Sequence, residues 1–201
     1  MSATNMSATN MSTTPSTINT LIPRQPVPSL DVPTVGGGRW RLGDAAPDNF
    51  TLVVFYRGRH CPVCSKYMRE LERLLPDFSE RGVEVVGISS DGAERAESAK
   101  TDWKLDNLTV GYDLSLDKAR EWGLFISSGK GKSSTGHDEP ALFSEPALYL
   151  VRPDGTLYFG AVQTMPFARP HFEDIVQAVD FVLSKDYPAR GEVLDHRAAT
   201  V

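Results

Sequence analysis

Two cysteines three positions apart, in Cys61-Pro62-Val63-Cys64, are the residues of this chain best suited to covalent chemistry. A thiol at the start of a helix faces unpaired backbone N–H groups and the positive end of the helix dipole, and both favour its thiolate. Cysteines in such settings ionise at roughly pH 3.5–7.5, against about 8.5 when unperturbed. The thiolate is the nucleophile in disulfide exchange and in peroxide reduction. One helical turn separates the two sulfurs, so Cys61 is expected to attack and Cys64 to resolve by closing a disulfide. Cys61 is expected to be the more acidic and the more exposed thiol. Arg57, Arg59 and His60 lie just before it, and cations there would lower its pKa further. The alternative is that they are solvated residues of a loop, and the spacing does not say which arginine points inward. Two structural alternatives stand beside the redox reading. The cysteines could be a buried structural pair, or half of a zinc site completed by two of His60, His137, His171 and His196. Zinc ligands usually come as a second close pair, and these histidines are scattered.

The elements that must position the motif are legible on either side of it. Residues 50–56 form a continuous apolar run of strand formers, which indicates a strand covered on both faces. A helix is expected over residues 62–75, with Val63, Tyr67, Met68, Leu71, Leu74 and Leu75 as one apolar stripe. Pro62 suits the first helical position, where its missing N–H costs nothing, and this puts Cys61 near the N-cap. Further strands are expected over 83–89 and 108–112. A helix capped by Ser90 or Asp91 should run to about Trp103, and a short one should span 115–122 before Gly123. Residues 127–140, rich in Ser, Gly, Lys and Asp, read as a mobile loop. Residues 147–151 and 156–160 read as a hairpin across Arg152-Pro153-Asp154-Gly155, and 172–183 as the last helix. Alternating strands and helices closed by a hairpin define an α/β fold with a central mixed β-sheet flanked by helices on both faces.

Of the 201 residues, 40% are hydrophobic and 23% charged, enough for one globular domain with tails. The net charge of −5 lacks the clustered basic excess of a nucleic-acid binder, and no apolar run approaches the roughly 20 residues of a membrane span. Residues 1–28 carry the near-repeat MSATN, MSATN, MSTTP and too little apolar surface to order themselves, so they are expected to be a disordered tail. The domain is expected over 29–186 and a polar C-terminal tail over 187–201. Gly36, Gly37 and Gly38 lack the context of a phosphate loop and read as the turn of a small hairpin leading into Trp40-Arg41-Leu42. The N-terminus shows no basic region followed by an apolar stretch. Only two cysteines are present, so a reducing, cytoplasmic location is expected.

The stretch Phe55-Tyr56-Arg57-Gly58-Arg59-His60-Cys61-Pro62-Val63-Cys64 resembles the signature of peroxiredoxin-like proteins of the AhpC/TSA group, within the thioredoxin superfamily. The resemblance continues through Val85-Val86-Gly87-Ile88-Ser89, Glu145-Pro146-Ala147-Leu148-Tyr149-Leu150-Val151, Asp154-Gly155 and Phe167-Ala168-Arg169-Pro170, covering roughly residues 30–185. It implies a thioredoxin-like fold, and a cis Pro146 facing the redox cysteines. The departures are specific. Standard peroxiredoxins place Thr or Ser three residues before the peroxidatic cysteine, where this chain has Gly58. They place Pro seven before, where it has Val54, and an Arg near the start of a late strand, where it has Glu145. Arg57 or Arg169 is the candidate replacement for that cation. Thioredoxins carry a buried acid six residues before the first cysteine, where this chain has Phe55.

Three readings follow. The first is a thiol peroxidase that reduces hydroperoxides through Cys61, with an external thiol reductant such as a thioredoxin or small thiol resetting the pair. The second is a thiol-disulfide oxidoreductase acting on protein or small-molecule disulfides. The third is a non-catalytic thioredoxin-fold binding module. No nucleotide fingerprint is present, so no bound flavin or nicotinamide is expected. Neither a nucleic-acid nor a membrane partner is expected, and a homodimer is left open.

Overall fold

A computed structural model of the chain describes residues 19–195. It opens on an antiparallel hairpin, β1 (Asp31–Pro33) and β2 (Arg39–Arg41), turned where the three glycines were expected to turn it. Gly36, Gly37 and Gly38 all lie at φ between +86° and +96°, a region open to glycine at little cost. Then follow β3 (Phe50–Phe55), α1 (Pro62–Glu80), β4 (Val83–Ile88), α2 (Ala93–Trp103), β5 (Thr109–Gly111) and α3 (Leu116–Glu121). The chain continues through β6 (Ile126–Ser128), β7 (Leu142–Ser144), β8 (Ala147–Val151), β9 (Leu157–Val162) and α4 (Phe172–Lys185).

The main sheet has the order β5-β4-β3-β8-β9. β3 runs parallel to β4 and antiparallel to β8, so the sheet is mixed as the element order implies. All six residues of β3 are buried, which its unbroken apolarity anticipated. Leu52 and Val54 face a core shared with Met68 and Leu71 of α1, Ala99 of α2, and Phe172 and Val179 of α4. Val53 and Phe55 face a second core with Tyr149, Trp122 and Ala119. Burying each such aliphatic side chain is worth roughly 1.5–3 kcal/mol, so β3 is a rigid post for the loop at its end.

Several boundaries differ from expectation. α1 runs past residue 75 and through Pro76 to Glu80. Leu74 and Phe78, buried on either side of the proline, carry the stripe across the one hydrogen bond it cannot donate. α2 is capped by Gly92 without a side-chain hydrogen bond, because the Asp91 carboxylate is engaged elsewhere. Residues 127–140 belong to an ordered arm: β6 pairs with β7, and the pairing continues through Gly129 N–H to Ala141 O and Glu139 N–H to Gly131 O. Two three-residue strands and scattered backbone bonds build this arm, too short a pattern for hydrophobic periodicity to announce it. The N-terminal segment is docked from Asn19 onward rather than disordered through residue 28. Arg24 N–H donates to Leu157 O, Leu157 N–H to Gln25 O and Val27 N–H to Gly155 O. The MSATN repeat and His196 lie outside the described residues. Among the described residues no helix is long and apolar enough to cross a membrane.

Candidate active site

The chain leaves β3, turns over residues 57–60 and enters α1. Cys61 N–H donates to Gly58 O at 3.1 Å to close that turn. Cys61 is the N-cap of α1 and Pro62 follows at the first helical position. The Cys61 Sγ accepts the Cys64 N–H at 3.2 Å, the bond a capping oxygen would ordinarily take. Its thiol is drawn down to about 6 by the Cys64 thiol hydrogen-bonded to it, then by that backbone N–H and by the guanidinium groups of Arg169 and Arg57, with burial opposing. Burial pushes the Cys64 thiol up instead, and the hydrogen bond and charge of Cys61 add to this. Cys61 is the more acidic thiol, as its place at the helix start implies. It is not an exposed one: Cys61 is 2% and Cys64 0% accessible, and both are free thiols.

The two arginines of the turn point in opposite directions. Arg59 reaches out to Asp102 at 2.8 Å. Arg57 turns inward to Glu145 at 3.4 Å and lies over the Phe143 ring at 4.6 Å. Glu145 is itself buried and also takes the Ser127 hydroxyl. From outside the motif, the cation that reaches the sulfurs is Arg169. Its Nη2 lies 3.1 Å from Cys64 Sγ and 4.0 Å from Cys61 Sγ, and its guanidinium covers the Tyr67 ring at 4.9 Å. Of the two candidate replacements for the cation absent at Glu145, the one in contact is thus Arg169.

His60 is neither a solvated loop residue nor a cation. It is 1% accessible, its ring packs on Phe143 at 4.7 Å between centroids, and neither ring nitrogen has a hydrogen-bond partner. Burial pushes its pKa down to about 4, so it is neutral where Cys61 ionises. The expected cis bond at Pro146 is also corrected: no peptide bond among the described residues is cis. A trans proline opening a strand loses no ladder bond, and Pro146 O accepts the Gln163 N–H at 3.0 Å. Among the described residues no three His, Cys, Asp or Glu side chains are grouped to hold a metal.

Sequence reasoning named Asp91 only as a candidate helix cap and missed its place beside the cysteine turn. Its buried carboxylate accepts the Arg59 N–H at 2.6 Å and Arg95 Nε at 2.9 Å, tying the turn before Cys61 to α2. It also explains Gly58. A Cβ at that position would lie 2.5–2.7 Å from the three atoms of the Asp91 carboxyl group, and Gly58 has φ +126°. The place where standard peroxiredoxins keep a hydroxyl residue is filled by this carboxylate. Only the glycine itself hinted at a close approach.

A central strand leading to a cysteine pair at a helix start, in a five-stranded mixed sheet, is an arrangement of the thioredoxin fold. Residues 23–159 match the model of the AhpC/TSA family, and the chain belongs to that family. Among relatives, 1-Cys peroxiredoxin A of Oryza sativa subsp. japonica is 26% identical over 162 residues, covering 77% of this chain and 69% of that protein. Two solved structures show the same fold at lower identity. Peroxidoxin BcpB from Mycobacterium tuberculosis superposes with TM-score 0.64 at 18% identity, covering 81% of this chain and 99% of that one. A yeast mitochondrial 1-Cys peroxiredoxin, described with thiol resolution via glutathione/thioredoxin systems, gives 0.64 at 16% identity, covering 83% and 78%.

Proposed function

We propose that Cys61 and Cys64 are the redox pair of this thiol-dependent peroxidase. The Cys61 thiolate attacks one oxygen of a hydroperoxide. The S–O bond forms, the O–O bond breaks, and the alcohol or water leaves after taking up a proton. Cys64 then closes a disulfide with the resulting sulfenic acid, and an external dithiol or two small thiols reduce that disulfide. Relatives described as 1-Cys proteins support the peroxidase chemistry; the second cysteine, one turn further on, supports internal resolution here. A reducing compartment such as the cytoplasm supplies the thiol donors this cycle needs. The observation that carries the proposal is the Cys61 sulfur seated on the Cys64 N–H at 3.2 Å with a guanidinium nitrogen at 4.0 Å. Because Gly58 and Asp91 leave no room for the usual hydroxyl residue, dithiol exchange with disulfide substrates is the second reading.

The pH profile of peroxide consumption tests the nucleophile. Only the thiolate reacts, and Cys61 ionises at about 6. The rate constant should therefore fall about tenfold per unit below that pH and be flat above about 7. A rate still climbing through about 8.5, the value of an ordinary thiol, would show that Cys61 is not activated.

A further inference from the structure

The two sulfurs do not draw on the same groups. Cys61 has the Cys64 N–H and the open end of α1. Cys64 lies inside the first turn, wholly buried, with Arg169 Nη2 at 3.1 Å, nearer than the 4.0 Å from the same nitrogen to Cys61. The other nearby cations are committed, Arg57 to Glu145 and Arg59 to Asp102. Arg169 Nε and Nη1 are buried without hydrogen-bond partners. Tyr67 fixes it from below, its ring under the guanidinium and its hydroxyl bonded to Pro170 O at 2.7 Å.

We infer that Arg169 serves the resolving step: its guanidinium holds the Cys64 sulfur as a thiolate while that sulfur attacks the Cys61 sulfenic acid. The inference rests on the redox-pair reading above. In the step, Cys64 loses its proton and its sulfur bonds to Cys61 Sγ. The S–O bond of the sulfenic acid breaks, and its hydroxyl takes up that proton and leaves as water. Without help Cys64 is a poor nucleophile, because burial holds its proton on. In the reduced pair the hydrogen bond and charge of Cys61 hold it further. Oxidation of Cys61 removes that charge, and burial is then opposed by Arg169. Of the other groups near the pair, burial keeps Tyr56, just after β3, protonated throughout, and the charge of Arg57 acts on Cys61. The buried acid that thioredoxins carry six residues before the first cysteine is replaced here by Phe55 of β3.

Rapid-quench oxidation of the reduced full chain by hydrogen peroxide, followed by alkylation and mass analysis, separates sulfenic acid formation from disulfide closure. A contacting cation shifts an acid by about 1–3 pH units, so Arg169→Gln should slow closure at pH 7 at least about tenfold. Cys61 oxidation should slow by a smaller factor, the closure defect should shrink toward pH 10, and Arg169→Lys should recover part of it. The inference is overturned if closure keeps its rate in Arg169→Gln, if oxidation slows more than closure, or if lysine does no better than glutamine at any pH. A wild-type chain that never forms the Cys61–Cys64 disulfide overturns the redox-pair reading and this inference together. A wild type that closes beside a glutamine variant that closes as fast overturns this inference alone.

Discussion

Cys61→Ser is expected to abolish peroxide reduction, and Cys64→Ser to permit one oxidation per molecule and then stall. With a thiol ionising at about 6, Cys61 is about nine-tenths thiolate at pH 7. A serine hydroxyl offers no comparable anion at that pH, so turnover should fall by a factor of about a thousand or more. In Cys64→Ser the attacking thiolate remains, along with the backbone N–H of residue 64 that holds it. The first step survives and the species that accumulates identifies the natural reaction. A sulfenic acid formed by dilute peroxide supports the peroxidase. A mixed disulfide with a protein or glutathione, together with sluggish peroxide reactivity, supports the dithiol-exchange reading. Neither substitution opens a large cavity, so each should cost no more than about 1–2 kcal/mol of stability. Global unfolding of both variants would show instead that the cysteines are structural.

Gly58→Thr, the substitution that would restore the residue type of standard peroxiredoxins, is expected to damage the protein. The new Cβ would sit 2.5 Å from Asp91 Oδ2 and 2.7 Å from Cγ, and the backbone there is at φ +126°. Holding a β-branched residue at that φ costs roughly 1–3 kcal/mol. Displacing the carboxylate costs roughly 1–3 kcal/mol more in overpacking. It also releases the Arg59 N–H and Arg95 Nε that the carboxylate holds. The denaturation midpoint should report a loss of about 2–6 kcal/mol. Cys61 oxidation should slow with it, because the turn closed by Cys61 N–H and Gly58 O positions the sulfur. A variant as stable as the parent, with faster peroxide reduction, would mean that this site keeps the usual threonine pocket after all.

The elements around the motif were legible because each carries a local signal. β3 is a continuous apolar run, α1 has Pro62 at its start and a stripe behind it, and the β8–β9 turn carries Pro153-Asp154-Gly155. The cap position of Cys61 followed from the same signals. The tertiary partners were not legible. Nothing near residue 91 in sequence says that its carboxylate fills the space beside Gly58. Nothing near residue 60 says that a polar ring will be sealed against Phe143 from an arm more than 80 residues away. Arg169 was named only through the family resemblance, and its approach to the buried sulfur depends on a segment that follows the last strand. The docking of residues 24–27 rests on backbone bonds to Gly155 and Leu157, which composition does not reveal.

The central claim is that Cys61 and Cys64 form one redox pair driven by peroxide. It is tested most directly by mixing the reduced full chain with one equivalent of hydrogen peroxide, without oxygen, and weighing the peptide His60–Lys66. The account predicts that peroxide is consumed one for one and that the peptide loses two hydrogens, with both thiols protected from alkylation until a dithiol is added. A peptide in which Cys61 is oxidised while Cys64 still alkylates, or in which both thiols remain free after the peroxide has had time to react, would contradict it.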